Sequence, residues 1–436
     1  MLTVVLKEMG VVGAGGAGFP TYVKANSSVE YFLANGAECE PLLHKDFELM
    51  KAWPAEIVNG MALMMESVHA AKGRFGIKEK NAEAILAVEP LARAKGIEMT
   101  LLGDFYPSGD EYELVYSATG RLIPAGGIPL QSGCVVNNVE TLYNVHCANQ
   151  GIPVTRKFLS VAGAVRKPCS FWVPLGTPFR DLIELAGGTI PVEAGVFVGG
   201  MMMGALTFDL DDVVTKTTGG LIVLPKEHYL VTRKALPQEA KARIGKSACD
   251  QCSYCTEFCP RYLLGYEVNP HKVMRSLGFT ATGSEHWNQW GELCCACGLC
   301  TLYACPEDLF PKEACDQAKL DMRAAGIKFV QQKPVKVHPM KEYRRVPLSM
   351  LRQRLKVEEY ESHTPLIECE HVPKVARIKL SQHVGKPATP VVAKGATVRK
   401  NDLLAQMGEK ELGVNIHASV AGTVAAITDK YIEIHT

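Results

Sequence analysis

The sequence predicts a multidomain α/β protein with a short-helical, cysteine-dense segment and an all-β C-terminal region. Three observations predict it. Residues 1–155 mix helical apolar stripes with short apolar runs around a glycine-rich stretch. Eight cysteines recur at fixed spacing between positions 249 and 305. Residues 366–436 read as short strands separated by turns.

Bulk composition sets the bounds. A chain of 436 residues corresponds to about three domains at roughly 150 residues each. Apolar residues make up 47% and charged residues 21%, enough for a sizeable core. The net charge of +1 supplies no global field for nucleic acid or an acidic membrane surface. No apolar run reaches the roughly 18 residues of a membrane span, and the N-terminus lacks a signal-peptide core. Of 15 cysteines, seven lie outside the spaced runs (Cys39, Cys134, Cys147, Cys169, Cys295, Cys315 and Cys369). Scattered and odd in number, they do not form a disulfide framework, so a reducing, cytoplasmic compartment is expected.

In residues 1–155, Gly13–Gly18 leads into Pro20, a residue suited to a helix start. Ile57, Met61, Met64 and Val68 give one buried helical stripe; Ala84–Val88 and Met99–Leu102 read as short buried strands. A helix is expected from about Asn138 to Gly151. Residues 156–235 read as a small α+β module, with strands at Phe158–Val165, Val196–Val198 and Leu221–Leu224 and a helix at Pro178–Leu185. Met201–Met203, at a hairpin tip, read as packing rather than as a binding loop.

Residues 240–325 carry the cysteines. Cys249, Cys252, Cys255 and Cys259 precede Pro260; Cys294, Cys297, Cys300 and Cys305 precede Pro306. Three thiolates at C-x-x-C-x-x-C spacing wrap one cube, and the fourth corner must come from beyond a short helix. This is the pattern of two [4Fe–4S] clusters, in which the C-P cysteine ligates the other cluster. The expected sets are therefore Cys249, Cys252, Cys255 and Cys305, and Cys294, Cys297, Cys300 and Cys259. Structural zinc also uses C-x-x-C pairs, but rarely two such steps in a row followed by C-P. Cys295 adjoins Cys294 and is the other candidate for its corner, while Cys315 is a spare. Trp287 and Trp290 are expected over the clusters. Lone histidines such as His146, His271 and His286 read as polar core or surface residues.

Residues 326–365 read as a basic linker: positions 328–356 hold nine Lys or Arg against Glu342 alone. A solvated connector with a helix near Leu348–Lys356 is expected ahead of a dock for an acidic partner. Residues 366–436, with Lys394–Val398 and Ala418–Val424, resemble a barrel-sandwich hybrid domain. Lys410 in Gly-Glu-Lys-Glu does not fit the lipoyl or biotinyl attachment pattern, so a structural barrel is expected.

The stretch Gly13-Ala14-Gly15-Gly16-Ala17-Gly18 matches G-x-G-x-x-G, and Glu38 lies about 20 residues on. The preceding segment makes a poor strand, since Lys7 and Glu8 interrupt it. Glycines still let a backbone approach a ligand closely, and a nearby helix start and Lys24 suit a phosphate. Two further constellations stand in order: Ala34-Asn35-Gly36-Ala37-Glu38-Cys39-Glu40-Pro41 and Val136-Asn137-Asn138-Val139-Glu140-Thr141.

Together these three motifs resemble the NADH-binding flavoprotein subunit of respiratory complex I and the C subunit of the Rnf complex, over about residues 5–150. The resemblance implies a Rossmann-like domain holding FMN, with NADH stacked on the flavin. By motif match, Gly15, Gly16, Gly18, Lys24, Asn35, Asn137, Asn138 and Thr141 would bind FMN. Glu38, Glu40, Asp110 and Glu111 would lie near NADH. Ala14 and Ala37 depart from the complex I pattern, which has arginine and aspartate there. The module at 156–235 resembles a soluble-ligand-binding β-grasp (SLBB-like) domain. In the Rnf C subunit the barrel-sandwich module precedes the flavin domain; here it follows the cysteines. That order resembles the propanediol-utilisation cobalamin reductases. This second resemblance implies electron flow from NADH through FMN and two [4Fe–4S] clusters to cob(II)alamin, inside a bacterial microcompartment, for a neighbouring cobalamin adenosyltransferase. Alternatives are a peripheral Rnf-like NADH:ferredoxin or quinone subunit, and an electron-conducting subunit that no longer oxidises NADH.

Overall fold

The computed structural model describes residues 1–278 and 288–436. His286 and Trp287 lie outside the described residues.

The N-terminal region is built on a four-stranded parallel sheet, in the order Ile97–Leu102, Lys72–Lys78, Tyr31–Gly36 and Cys134–Asn138. Helices cover both faces, as the connections between parallel strands require. In the helix Pro54–Ser67 the expected stripe holds: Ile57, Met61 and Met64, with Val68 just beyond, are fully buried. Gly60 lets this helix meet Val139–Asn149; a Cβ there would stand 1.9 Å from the Leu142 carbonyl oxygen. The strand expected at Ala84–Val88 is instead part of the helix Ala82–Ala94. Ala84, Val88 and Ala92 are buried at intervals of four, a helical period that a five-residue window hides. The glycine-rich stretch follows a helix, Leu2–Glu8, and precedes the first strand.

Next comes a five-stranded sheet, ordered Cys169–Pro174, Arg156–Gly163, Gly220–Pro225, Ala194–Val198 and Ala205–Thr207, with the helix Phe179–Leu185. One pair is parallel, Gly220–Pro225 with Arg156–Gly163; the others are antiparallel. Met201 and Met202 sit fully buried at the hairpin tip, as packing residues.

The cysteine region is a set of short helices, including Tyr254–Glu257, Pro260–Leu263, Pro270–Ser276 and Pro311–Ala324. Trp290 packs beside Cys249, Cys294, Cys305 and Cys315, with Lys272 Nζ 3.9 Å from its ring centre.

The basic linker is a solvated connector only over its first half, where residues 327–340 are mostly exposed and irregular. The helix expected near Leu348–Lys356 forms at Leu348–Leu355. The second half packs into the fold, which corrects the expectation. Val346–Pro347 pairs antiparallel with Phe105–Tyr106. The helix Leu348–Leu355 buries Leu348, Leu351 and Leu355 against Ile222, Leu224, Leu230 and Leu302. Lys341 Nζ lies 2.6 Å from Glu113 Oε1, both about 5% exposed. Arg345, Arg354 and Arg352 pair with Glu113, Asp308 and Glu361. The basic run answers acids within this chain, so the segment is a strap across three regions.

The C-terminal module is two small sheets: Val375–Lys379, Tyr431–His435, Gly422–Ile427 and Thr397–Val398, facing Thr389–Pro390, Leu403–Gln406 and Ile416–His417. They form a sandwich with no closed barrel. Its core runs without a break into the β-grasp core, where Ile378, Leu404 and Ile432 join Phe171, Leu182 and Val223.

Candidate functional site

The glycine-rich loop lies at the carboxyl ends of the parallel strands, where open α/β sheets bind ligands. Ala14 N donates to Thr141 Oγ1 at 2.9 Å, and a Cβ on Gly15 would touch Asn138 Cβ at 3.3 Å. Gly16 takes a φ of +110°, and a Cβ there would meet nothing within 4 Å. Backbone at that point faces open space. Two buried polar atoms have no protein partner: Thr21 Oγ1, just after the loop, and Asn137 Nδ2, beside Asn138 at the end of the strand that meets Gly15. A glycine cradle and orphaned side-chain atoms fit a polar, phosphate-bearing ligand. Lys24 Nζ donates to Val136 O at 2.7 Å and lies 3.6 Å from Glu111, so it is held beside the strand end.

Beneath the loop runs a buried charge network. Lys157 Nζ donates to Ala14 O at 2.9 Å and to Glu140 Oε2 at 2.6 Å. Lys45 Nζ reaches the same carboxylate at 3.2 Å and Asp46 at 2.5 Å. Asn138 caps the helix Val139–Asn149 through Glu140 N and donates to Asp46 Oδ2 at 2.7 Å. Two lysines and two carboxylates balance, as buried charges must. Burial lowers Lys157 to about 8, against the pull of Glu140.

The acidic residues expected near NADH take distinct positions. Glu38 accepts from Asp46 N at 3.0 Å; desolvation, then the Asp46 charge, push its carboxyl up to about 8. Glu40 accepts from Met202 N at 3.1 Å and Met203 N at 2.9 Å, and burial raises it to about 6. It therefore anchors the methionine hairpin. Asp110 caps the helix Glu111–Thr119 through Tyr112 N at 3.0 Å. Its carboxylate also holds Arg261, with Oδ2 at 3.0 Å and a second contact through Oδ1. Glu111 is exposed beside Lys24. Asn35 Nδ2 donates to Gly109 O at 2.8 Å; a Cβ on Gly109 would stand 2.3 Å from Ala37 O, so only glycine fits. Burial pushes the Cys39 thiol up to about 12, which keeps it protonated and unreactive.

The cysteines gather in two sets. Cys249, Cys252, Cys255 and Cys305 line one small cavity, together with His271, Met274 and Leu309. Cys252 is exposed and Cys249 half-buried. The second set surrounds Cys259, which has Cys294, Cys295, Cys297 and Cys300 as neighbours. Among the described residues no three such side chains are already drawn to coordination distance. Burial, then the neighbouring cysteines, raises Cys255 to about 12 and Cys259 higher still. Hydrogen bonds from Cys315 and Cys297 hold Cys294 and Cys295 below the usual thiol value. A group of cysteines this crowded ionises as a whole only around a cation, which is the chemistry of an iron–sulfur donor set.

The second set abuts the N-terminal module. Tyr106 OH donates to Cys297 O at 2.7 Å, and Arg261, two residues after Cys259, holds Asp110. A Cβ on Gly298 would lie 3.0 Å from Met202 O.

Four family models match along the chain: the Nuo51 FMN-binding domain at residues 6–147, the SLBB domain at 158–206, a 4Fe-4S dicluster domain at 248–310 and the RnfC barrel sandwich hybrid domain at 354–436. Cobalamin reductase PduS of Citrobacter freundii is 37% identical over 431 residues, 98% of this chain and 95% of that protein. The chain belongs to the cobalamin reductase PduS family. The PduS of Salmonella typhimurium strain LT2 is 38% identical with the same coverage. The C subunit of the Na(+)-translocating ferredoxin:NAD(+) oxidoreductase complex of Acetobacterium woodii is 35% identical over 261 residues, 58% of this chain and 56% of that protein. In fold, the chain is similar to a chain of an NAD+-reducing [NiFe]-hydrogenase in the H2-reduced state. The TM-score is 0.51 at 20% identity, covering 77% of this chain and 69% of that one. The chain is thus an oxidoreductase with an FMN-binding domain and two 4Fe–4S clusters. No helix among the described residues is long and apolar enough to cross a membrane.

Several site residues escaped sequence reasoning. Arg261 sits directly after the C-P pair, but its partner is 151 residues away. Lys157 gave one signal, a lysine opening an apolar strand. Cys315, on the helix Pro311–Ala324, is fully buried and hydrogen-bonds the Cys294 thiol, so it belongs with the second set.

Proposed function

We propose that this protein oxidises NADH and delivers single electrons to cob(II)alamin, within a bacterial microcompartment and beside a cobalamin adenosyltransferase. The observation that carries the reading is near-full-length similarity to proteins named cobalamin reductase, on a chain whose flavin module touches one cysteine set while the other faces solvent. When bound, FMN exchanges a hydride with nicotinamide and single electrons with iron–sulfur clusters.

The chain's own residues position and insulate. Gly15, Gly16 and Gly18 let backbone approach the flavin phosphate, with Asn137 supplying a free amide. Lys24 adds positive charge at the strand end. Asp110, Arg261, Tyr106 and Glu40 lock the inner cysteine set, Cys259, Cys294, Cys297 and Cys300, against the flavin module and exclude water. The outer set, Cys249, Cys252, Cys255 and Cys305, lies where an acceptor can approach.

Anaerobic NADH oxidation with cob(II)alamin, quinones and ferredoxin, tested side by side, decides among acceptors. Formation of cob(I)alamin at the fastest rate is expected. Faster ferredoxin or quinone reduction would favour the second reading, a peripheral subunit of an Rnf-like complex, which the 261-residue similarity to the Acetobacterium protein supports. NADH that fails to bleach the flavin would leave an electron-conducting subunit.

A further inference from the structure

The two ends of the segment carrying the glycine loop are held by residues roughly 200 and 370 positions away. At its start, Gly10 O accepts from Lys216 Nζ at 2.7 Å, and the same nitrogen donates to Asn415 O at 3.2 Å. At its end, Gly18 O accepts from Val384 N at 2.9 Å. Gln382 joins the two grips. Its Oε1 accepts from Lys216 N at 3.0 Å and its Nε2 donates to Lys379 O at 2.9 Å. The helix before the loop is tied as well: Lys7 Nζ donates to Gly408 O at 2.9 Å and Glu409 O at 3.0 Å, and Asn415 N donates to Lys7 O.

These contacts leave no slack. A Cβ on Gly18 would stand 2.9 Å from Thr217 Cγ2 and 3.2 Å from His383 Cα; one on Gly10 would stand 2.5 Å from Lys216 Nζ. Lys216 and Gln382 are 2% and 4% exposed. A loop with glycine at positions 13, 15, 16 and 18 loses more backbone entropy on ordering than one of non-glycine residues. Binding a phosphate to it is weak unless the ordering is done beforehand. From its own later elements the N-terminal module brings Thr141 to the loop's backbone, at Ala14 N. Lys157, on the first strand of the β-grasp sheet, takes the Ala14 carbonyl. The grips at Gly10 and Gly18 come from the β-grasp and C-terminal modules.

We propose that the C-terminal module, through Gln382 and Val384, and the β-grasp turn, through Lys216, act as a positioning clamp on the FMN loop, so that FMN affinity depends on all three modules. The proposal rests on FMN occupying the glycine cradle.

The test uses the full-length, cluster-loaded protein. FMN dissociation constants are measured anaerobically by fluorescence quenching for the wild type, Gln382→Leu, Lys216→Met and Gln382→Glu. Iron content and the melting temperature of the flavin-free form are measured alongside. Gln382→Leu and Lys216→Met are expected to weaken FMN binding about tenfold with iron content retained. Gln382→Glu keeps the oxygen that Lys216 N donates to and, measured at pH 5 where its buried carboxyl stays protonated, a donor to Lys379 O, so at that pH it stays within about twofold of the wild type. Should Lys216→Met fail to fold, Val384→Pro, which deletes the N–H on Gly18 O, takes its place. Unchanged FMN affinity in both disruptive variants overturns the clamp. So does a loss that only tracks melting temperature and is not restored in Gln382→Glu. Wild-type protein that quenches no FMN would instead remove the flavin reading itself.

Discussion

One motif, written twice, ends in two different environments. The outer set lines a cavity at the surface, with Cys252 exposed and Gln251 and Ser253 in left-handed backbone around it. The inner set has Cys259, Cys297 and Cys300 buried. It is roofed by Tyr106, Met202 and the Arg261–Asp110 pair, all bound to the flavin side of the molecule. Ligand chemistry is local and was stamped twice; position in the relay is a property of what packs on each stamp. In the proposed relay the buried set beside the flavin module would exchange electrons with it, and the set open to solvent would meet an outside acceptor.

The largest effect should separate the two sets outright. Cys255→Ala removes an outer ligand and should cut iron by about half, abolish acceptor reduction and leave NADH-driven flavin bleaching intact. Under NADH the inner cluster should still become reduced. Cys297→Ala should give the mirror image: a bleached flavin and an outer cluster that stays oxidised. Electron paramagnetic resonance of both variants after NADH addition reads this directly. An outer cluster reduced normally in Cys297→Ala would reverse the assignment.

Next in size is Arg261→Met. Its guanidinium is buried on Tyr112, 3.7 Å from the ring centre, and holds Asp110. Breaking such a pair costs about 3 kcal/mol, read as a lower denaturation midpoint. Slower reduction of the inner cluster, with unchanged flavin bleaching, is expected in the same variant.

How much of this was legible follows from where each interaction closes. The cysteine runs were readable because a cube draws three ligands from one turn. The helix at Val139–Asn149 was readable because its cap, Asn138, is adjacent. The glycine loop was legible as a turn of close approach because its glycines are adjacent in sequence, and Gly16 and Gly18 do take positive φ; the remote residues that hold its two ends were not. The strap was misread because charge composition does not reveal that Glu113, 228 residues before Lys341, is the acid it neutralises. Glu40 and Asp110 carried a motif's role in sequence; their hydrogen bonds to Met202 and Arg261 span more than 150 residues. Ala84–Val88 failed for a different reason: alanine, leucine and valine in a short window suit either period.

The flavin side should also respond to pH through its buried carboxyls. Glu38 and Glu40 are raised to about 8 and about 6, each chiefly by desolvation. Asp46 raises Glu38 further, while Lys45 and Lys78 oppose. A carboxyl whose folded pKa exceeds its unfolded value holds its proton more tightly in the native state. The native state is therefore favoured at low pH and loses that advantage as pH rises through the folded value. The contribution of these two carboxyls should fall from about pH 5 to pH 8, with a slope approaching ~1.4 kcal/mol per pH unit for each proton involved. His44 and His417, which burial lowers to about 4, contribute with the opposite sign at the acidic end. The difference in urea midpoint between wild type and Glu38→Gln should change across that range, with the wild type losing more stability as pH rises. An unchanged slope in Glu38→Gln would remove this carboxyl from the account.

The smallest effect tests the contact that most directly joins flavin module and inner set. Tyr106 is 2% exposed, and its hydroxyl donates to the Cys297 carbonyl at 2.7 Å. Tyr106→Phe keeps the ring and leaves that carbonyl unpaired, a loss of about 1 kcal/mol. On the outer loop, Gln251 Nε2 donates to Cys249 Sγ at 3.1 Å from an exposed position. Gln251→Ala should change stability by less than about 0.5 kcal/mol. Both variants delete one hydrogen bond at a ligand-bearing turn, so a difference between them measures burial rather than bond count. Tyr106→Phe should also alter the resonance lines of the inner cluster and leave those of the outer one unchanged. If the two substitutions cost the same and both spectra stay fixed, the two sets are equivalent in their surroundings, and the asymmetry that orders the relay is lost.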